Sequence, residues 1–153
     1  MKYERYKEID ISIKKLEFQF DSEGPKGKIR KIIRFTSTEG GEVYNLVFGN
    51  LNDDGSIDCK IINDNKDRNK ILATIFYIVY EFINKKPDKR IFFYGRPDRI
   101  RLYRMAISVN LEELKKYFEI FGVLKGEEPL IAIPFTKGID YFGFLISKKQ
   151  IHL

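Results

Sequence analysis

Short segments of alternating apolar and polar residues, separated by turns that contain glycine, fill the first sixty residues and restrict the folds open to this chain. Residues 16–20 and 28–35 are two such segments, and residues 23–27 form the turn between them. Residues 38–42 and 52–55 are two further turns. Alternation with a period of two and glycine at each turn is typical of antiparallel hairpins. The region therefore predicts a four-stranded antiparallel meander.

A long helix is predicted directly after the meander. Its apolar side chains recur at spacings of three and four residues, at Ile71, Ile75, Ile78, Val79 and Phe82. Asp64 or Asn65 is a fitting N-cap, and residues 84–87 contain the proline that ends the helix. The apolar face is broad, so we expect the helix to lie buried against the sheet.

The second half of the chain mixes strands and helices. Residues 91–94 are continuously apolar, which predicts a strand buried on both faces. A helix over residues 98–108 and a short helix over residues 111–114 are expected to follow. Three closing strands are predicted at residues 118–124, 130–135 and 141–146. With no linker to divide it, the chain is expected to form a single α+β domain over residues 1–153.

The counts of cysteine and histidine exclude several classes of site. The single cysteine, Cys59, rules out an internal disulfide and a cysteine-based zinc or iron–sulfur site. The single histidine, His152, rules out a two-histidine zincin site and a histidine-rich metal centre. We therefore expect neither a metal nor a cofactor.

Signals for export and membrane insertion are also weak. The N-terminal ten residues lack the apolar core of a signal peptide. The longest apolar run, residues 71–80, is far shorter than the roughly 20 residues that a membrane span needs. These features predict a cytoplasmic protein without membrane association, and a single free cysteine agrees with a reducing compartment.

Positive charge is concentrated in two segments of a chain whose formal net charge is +6. Residues 84–104 hold eight basic and two acidic side chains, a balance equal to that of the whole chain. Residues 24–38 are also basic and contain no acid. Concentrated charge of this kind attracts polyanions, although a solvated face that only aids solubility is the alternative.

The most informative stretch is residues 90–104, where a strand, a glycine turn and a helix N-terminus follow one another. Free backbone N–H groups and the helix dipole favour an anion at such a place. The candidate contacts are Arg96, Arg99, Arg101, Tyr103 and Arg104. Alternatively, the arginines pair with acids such as Glu112 and Glu119, and Asp98 takes the N–H groups itself as an N-cap.

The second predicted strand carries another basic pattern. With a period of two, Lys28, Arg30 and Arg34 share one face of the strand. Such a basic ladder could follow a sugar–phosphate backbone. The chain also has nine tyrosines, and exposed ones could stack on bases. Tyr94 and Tyr103 are among these, although most tyrosines are expected in the core with a hydrated hydroxyl tip.

Several segments together resemble an uncharacterised family of small bacterial proteins of about 150 residues. The resemblance rests on residues 23–29, 44–49, 72–75, 87–88 and 101–108 and extends over nearly the whole chain. It implies a domain of unknown function and supplies no activity. A looser, fold-level likeness joins the meander and its helix to the repeat of the Pur-alpha and Whirly single-stranded nucleic-acid-binding proteins. Those folds associate through the repeat, so this likeness is compatible with a homodimer.

Three functions follow as hypotheses. The first is a binding module for single-stranded nucleic acid or another phosphate-bearing polyanion. The second is an interaction protein of a two-gene, toxin–antitoxin-like system, which binds an acidic partner protein. The third is a small metal-independent ribonuclease, for which Arg96, Arg99, Tyr103 and Arg104 would supply proton transfer and charge stabilisation. The first is favoured, and an enzymatic role is the least favoured.

Overall fold

The computed structural model describes residues 3–60, 64–126 and 130–150, and this part of the chain is α+β, as predicted. It forms two compact units, the meander unit (residues 2–36 and 46–82) and the closing unit (residues 37–45 and 83–153). The strands are β1 (Asp10–Ile11), β2 (Glu17–Gly24), β3 (Gly27–Ser37), β4 (Val43–Leu51), β5 (Ile57–Asp58), β6 (Arg90–Phe93), β7 (Phe118–Leu124), β8 (Ala132–Pro134) and β9 (Tyr141–Lys148). The helices are α1 (Arg68–Lys85), α2 (Pro97–Val109) and α3 (Leu111–Leu114).

The meander unit consists of an antiparallel sheet and most of helix α1. Its strands lie in the order β1, β2, β3 and β4, and β5 pairs with the end of β4. Apolar side chains on one face of the sheet pack against α1, and the rings of Phe35 and Phe82 stack with their centroids 4.0 Å apart. Phe20 and Ile33 are fully buried on the same face. The broad apolar face of the helix therefore lies in the core, as its spacing predicts.

Two details of the meander differ from the sequence-based expectation. The fourth strand is only the two residues of β5, and residue 61 lies outside the described part. Helix α1 begins at Arg68, where the Asp67 carbonyl accepts the Ile71 N–H, and not at residue 64 or 65. Asn65 is buried; its side chain donates to the Gly27 carbonyl and accepts the Lys26 N–H, so it binds the β2–β3 turn and does not cap the helix.

The closing unit places its strands in the order β4, β6, β9, β7 and β8, with residues 43–45 of β4 at one side. The pairs β6–β9, β9–β7 and β7–β8 are antiparallel. Helix α2 packs on one face, where Tyr103 meets Phe93 edge to face with the ring centroids 5.2 Å apart. We call the opposite face of these strands the outer face.

Strand β6 is buried on one face only, which corrects the prediction of burial on both. Ile91 and Phe93 are buried, whereas Phe92 is half-buried and Tyr94 is exposed. An uninterrupted apolar run cannot distinguish two covered faces from one covered face and one that carries exposed aromatic rings. No described helix is long and apolar enough to cross a membrane.

Candidate nucleic-acid interface

Three aromatic rings form a contiguous cluster on the outer face of the closing unit. Phe92 and Tyr94 stack with ring centroids 5.4 Å apart, and Phe92 lies 6.3 Å from Phe142 of β9. Tyr94 is 44% exposed and Phe142 is 41% exposed. We call these three residues the aromatic cluster. Its exposed rings offer π surface to solvent, which large apolar side chains in a folded protein rarely do as a group.

Local strand geometry explains why these rings meet. Phe92 and Tyr94 are two residues apart on β6 and therefore share a face. A register shift at Val123 and Leu124 lets Tyr141 and Phe144, three residues apart on β9, both point into the core, so that Phe142 lies on the outer face. Gly143 leaves room for the cluster, because a Cβ there would lie 2.9 Å from Cε1 of Phe92.

The start of helix α2 follows this cluster along the chain. Arg96 is the N-cap residue, and its Nε lies 3.4 Å from Oδ1 of Asp98. Tyr94 precedes Arg96 by two residues, so their Cα atoms are at most about 7 Å apart. Asp98 is therefore not the N-cap, which was the alternative for this acid; it forms an ion pair with Arg96, whose side chain stays largely exposed.

A group of cations lies around Asp140, which is close in sequence to the aromatic cluster. Asp140, two residues before Phe142, accepts Lys125 Nζ at 2.7 Å and Arg104 Nη1 at 3.5 Å. The hydrogen bond from Lys125, together with the charges of Lys125, Arg104 and Arg101, lowers the pKa of the Asp140 carboxyl. We call these four residues the Asp140 cluster. Three positive charges surround one negative charge there, so the net charge of the cluster is positive.

The five predicted contacts of residues 96–104 differ in their exposure. Arg96, Arg101 and Arg104 are at least partly exposed. Arg99 is half-buried and has interactions of its own. Tyr103 is only 2% exposed and packs against Phe93, so its ring has no face open to a base. Tyr103 therefore lies in the core, as expected of most tyrosines. Its buried ring leaves it no direct role in binding.

The predicted basic ladder on β3 exists, but each of its cations faces an acid on β2. Register pairs place Lys28 opposite Glu23, Arg30 opposite Asp21, and Arg34 opposite Glu17. The nitrogen–oxygen distances of these ion pairs are 3.7, 3.2 and 3.1 Å. Arg30 also binds Gln19 and Asp10. The ladder is thus largely neutralised by its neighbouring strand, and a phosphate would have to displace carboxylates to reach it.

The comparison with protein families assigns the chain. The model of a family of unknown function (DUF6934) matches residues 2–149. The chain belongs to the DUF6934 family. This confirms the resemblance to an uncharacterised family seen in the sequence, and the family description carries no activity.

Nothing among curated proteins or solved structures matches this DUF6934 chain. The likeness to the Pur-alpha and Whirly domains therefore stays a prediction. In the described residues, no group of three or more histidine, cysteine or carboxylate side chains could hold a metal ion. His152 lies outside the described part.

Sequence reasoning missed four members of this DUF6934 surface, namely Phe92, Phe142, Lys125 and Asp140. The two phenylalanines were expected in the core, since an apolar residue in an apolar run usually is. The available signal was the charged residue Arg90. It precedes Phe92 by two residues and Tyr94 by four, so the three share one strand face, and a charged residue marks that face as exposed. Lys125 had no such signal, since only the fold brings it to Asp140.

Proposed function

We propose that this protein binds single-stranded nucleic acid through the aromatic cluster of the closing unit. The observation that supports the proposal is the contact between Phe92, Tyr94 and Phe142 on the outer face, with two of the three rings more than 40% exposed. Cations lie next to these rings along the chain, because Arg96 follows Tyr94 by two residues and Asp140, with its cations, precedes Phe142 by two.

This arrangement suits an unpaired strand for two physical reasons. Bases of a single strand can be splayed out and stacked on aromatic side chains, whereas the bases of a duplex stay stacked on one another. The cations then neutralise the phosphates between the stacked bases, with release of counterions. Stacking on a π face is available to every base, so we expect little sequence preference and strong salt dependence.

Two other hypotheses find less support. An acidic partner protein could use the same cations, but it would leave the exposed rings unexplained. A ribonuclease that uses Tyr103 for proton transfer would need that hydroxyl to reach a substrate, and Tyr103 is buried. As part of the proposal we place binding in the cytoplasm, which is in keeping with the single cysteine, Cys59.

Fluorescence anisotropy tests the proposal with labelled single-stranded RNA, single-stranded DNA and duplex DNA at several salt concentrations, using protein freed of copurified nucleic acid. We expect the protein to prefer single strands and to lose affinity steeply with salt. Tyr94→Ala and Phe142→Ala should each weaken binding about tenfold, since loss of one stacked base costs on the order of 1–3 kcal/mol. Tyr94→Phe keeps the ring and should retain the affinity.

Tyr117→Ala is the matched control. Tyr117 lies in the same unit and is 46% exposed, but its backbone carbonyl pairs with Lys149, at the opposite end of β9 from Phe142. We expect this variant to bind as the native protein does. Equal loss in Tyr94→Ala and Tyr117→Ala, or tighter binding of the duplex than of the single strand, would contradict the proposal.

A further inference from the structure

An anion from outside the protein could take the position that the carboxylate of Asp140 occupies. This carboxylate bridges Lys125 and Arg104, at 2.7 and 3.5 Å, and Arg101 acts on it electrostatically. A phosphate group offers the same charge and more acceptor oxygens, and arginine binds phosphate and carboxylate in the same bidentate way. Lys125 and Arg104 thus meet at one anion, Arg101 adds positive charge, and an exposed side chain of the protein supplies the anion.

The core holds this arrangement in place. Tyr141, next to Asp140, is fully buried, and its hydroxyl accepts the Thr136 backbone N–H at 3.0 Å. That bond ties down the loop that leads to β9, in which Gly138 has a φ of +90°. Asp140 and Lys125 themselves are exposed. Ion pairs between exposed groups are weak, so an incoming anion can exchange with Asp140 without disturbing the core.

We infer that the Asp140 cluster is the subsite for a backbone phosphate of the bound strand, and that Asp140 competes with this phosphate for Lys125 and Arg104. The inference rests on the proposed function, since the aromatic cluster begins two residues after Asp140. It gives the acid a role: Asp140 holds the cations in position in the free protein and limits the affinity for the phosphate chain. Removal of its charge should therefore tighten binding.

The test compares native protein with Asp140→Asn, a change of nearly equal shape. Two labelled probes are titrated over a range of salt, a short oligothymidylate and an abasic deoxyribose-phosphate strand of the same length. We expect Asp140→Asn to bind both probes about threefold more tightly at low salt, because one repulsive charge near the phosphate is removed. The slope of log affinity against log salt should steepen by about 0.7, the value for one more neutralised phosphate of a single strand.

Asp53→Asn is the control, because Asp53 is an exposed residue of a hairpin turn in the meander unit and the change in net charge is the same. Tighter binding in Asp140→Asn alone supports the inference. Equal effects in both variants, or no gain in Asp140→Asn, would overturn it while the proposed function stands. Equal affinity of the native protein for both probes would remove the stacking role and leave the phosphate subsite intact. Absence of binding to either probe in both proteins would overturn both proposals.

Discussion

At the scale of single residues, the meander unit contains a polar network that joins helix α1 to β2. The carboxylate of Asp67 accepts hydrogen bonds from Tyr6 and from Ser22, the latter at 2.6 Å. The Tyr6 hydroxyl also accepts the Glu23 backbone N–H at 2.9 Å. Burial, followed by the hydrogen bond to Asp67, raises the pKa of Tyr6. The network thus provides partners for the Asp67 carboxylate, which directly precedes the helix, and for the Glu23 backbone N–H of β2.

Tyr6→Phe should lower the free energy of unfolding by about 1–2 kcal/mol, because Asp67 and the Glu23 N–H lose a partly buried partner. Urea denaturation at neutral pH measures this loss. Tyr94→Phe is the control, since the Tyr94 side chain is exposed, and a change within about 0.5 kcal/mol is expected there. A loss of equal size in both variants would mean that the Tyr6 hydroxyl has no special role.

The same residue predicts a pH dependence at alkaline pH. Folding raises the pKa of Tyr6 above its ordinary value of 10.0, so its contribution to stability is fully present below pH 10 and is lost as the pH rises through the folded pKa. The native protein should therefore lose stability above pH 10 more steeply than Tyr6→Phe does. Thermal melting between pH 8 and pH 11 tests this, and parallel curves for the two proteins would refute it.

At the scale of elements, the β7–β9 pair determines where the proposed site lies. The register shift between Val123 and Leu124 breaks the period of two, so Tyr141 and Phe144 are both buried while Phe142 is exposed. Gly122 leaves room for the buried Tyr141 ring, because a Cβ at that position would lie 2.2 Å from Cε1 of Tyr141. The close approach of a buried ring to the strand backbone therefore positions both Phe142 and Asp140.

Gly122→Ala should destabilise the protein by about 1–3 kcal/mol, since the Tyr141 ring must move within a packed core. It should also weaken binding of a single-stranded oligonucleotide, because Phe142 and Asp140 move with Tyr141. Gly126→Ala is the matched control, as a Cβ there has no neighbour within 4 Å. Differential scanning calorimetry and anisotropy measure the two effects, and a native melting temperature in Gly122→Ala would contradict this account.

At the scale of the whole molecule, the net charge is +6, and the basic side chains occur in two different arrangements. In the meander unit the cations of β3 face the acids of β2, and cross-strand pairs of this kind support the sheet. In the closing unit the cations outnumber the acid that they surround. Only the second arrangement leaves excess positive charge for a ligand.

Two double variants that remove the same charge should therefore differ. Arg101→Gln with Arg104→Gln should weaken oligonucleotide binding and reduce the salt slope by about 1.4, which corresponds to two phosphate contacts of a single strand. Lys28→Gln with Arg34→Gln should leave both quantities nearly unchanged. Anisotropy titrations at several salt concentrations measure the slopes. Equal slopes in the two variants would mean that net charge alone controls binding.

Much of the fold was predictable because it depends on local periodicity. Alternation and glycine turns were enough for the hairpins of the meander, and three- and four-residue spacing was enough for α1. The role of a residue was not predictable where its contact partner is distant in sequence. Asn65 was expected to cap the helix and instead binds Gly27, 38 residues away. Asparagine is a suitable residue both for a helix cap and for a hydrogen bond to a distant turn. The residue type therefore does not distinguish the two roles.

The sequence by itself determined the α+β class, the family, the two basic segments and the absence of a second cysteine or histidine. The tertiary structure alone decided which basic segment keeps excess charge, because Glu17, Asp21 and Glu23 neutralise β3 only through strand register. It also decided that Phe92 and Phe142 lie open on one face while Tyr103 is buried. Exposure and net local charge are sums over neighbours in space, and most of those neighbours are far apart along the chain.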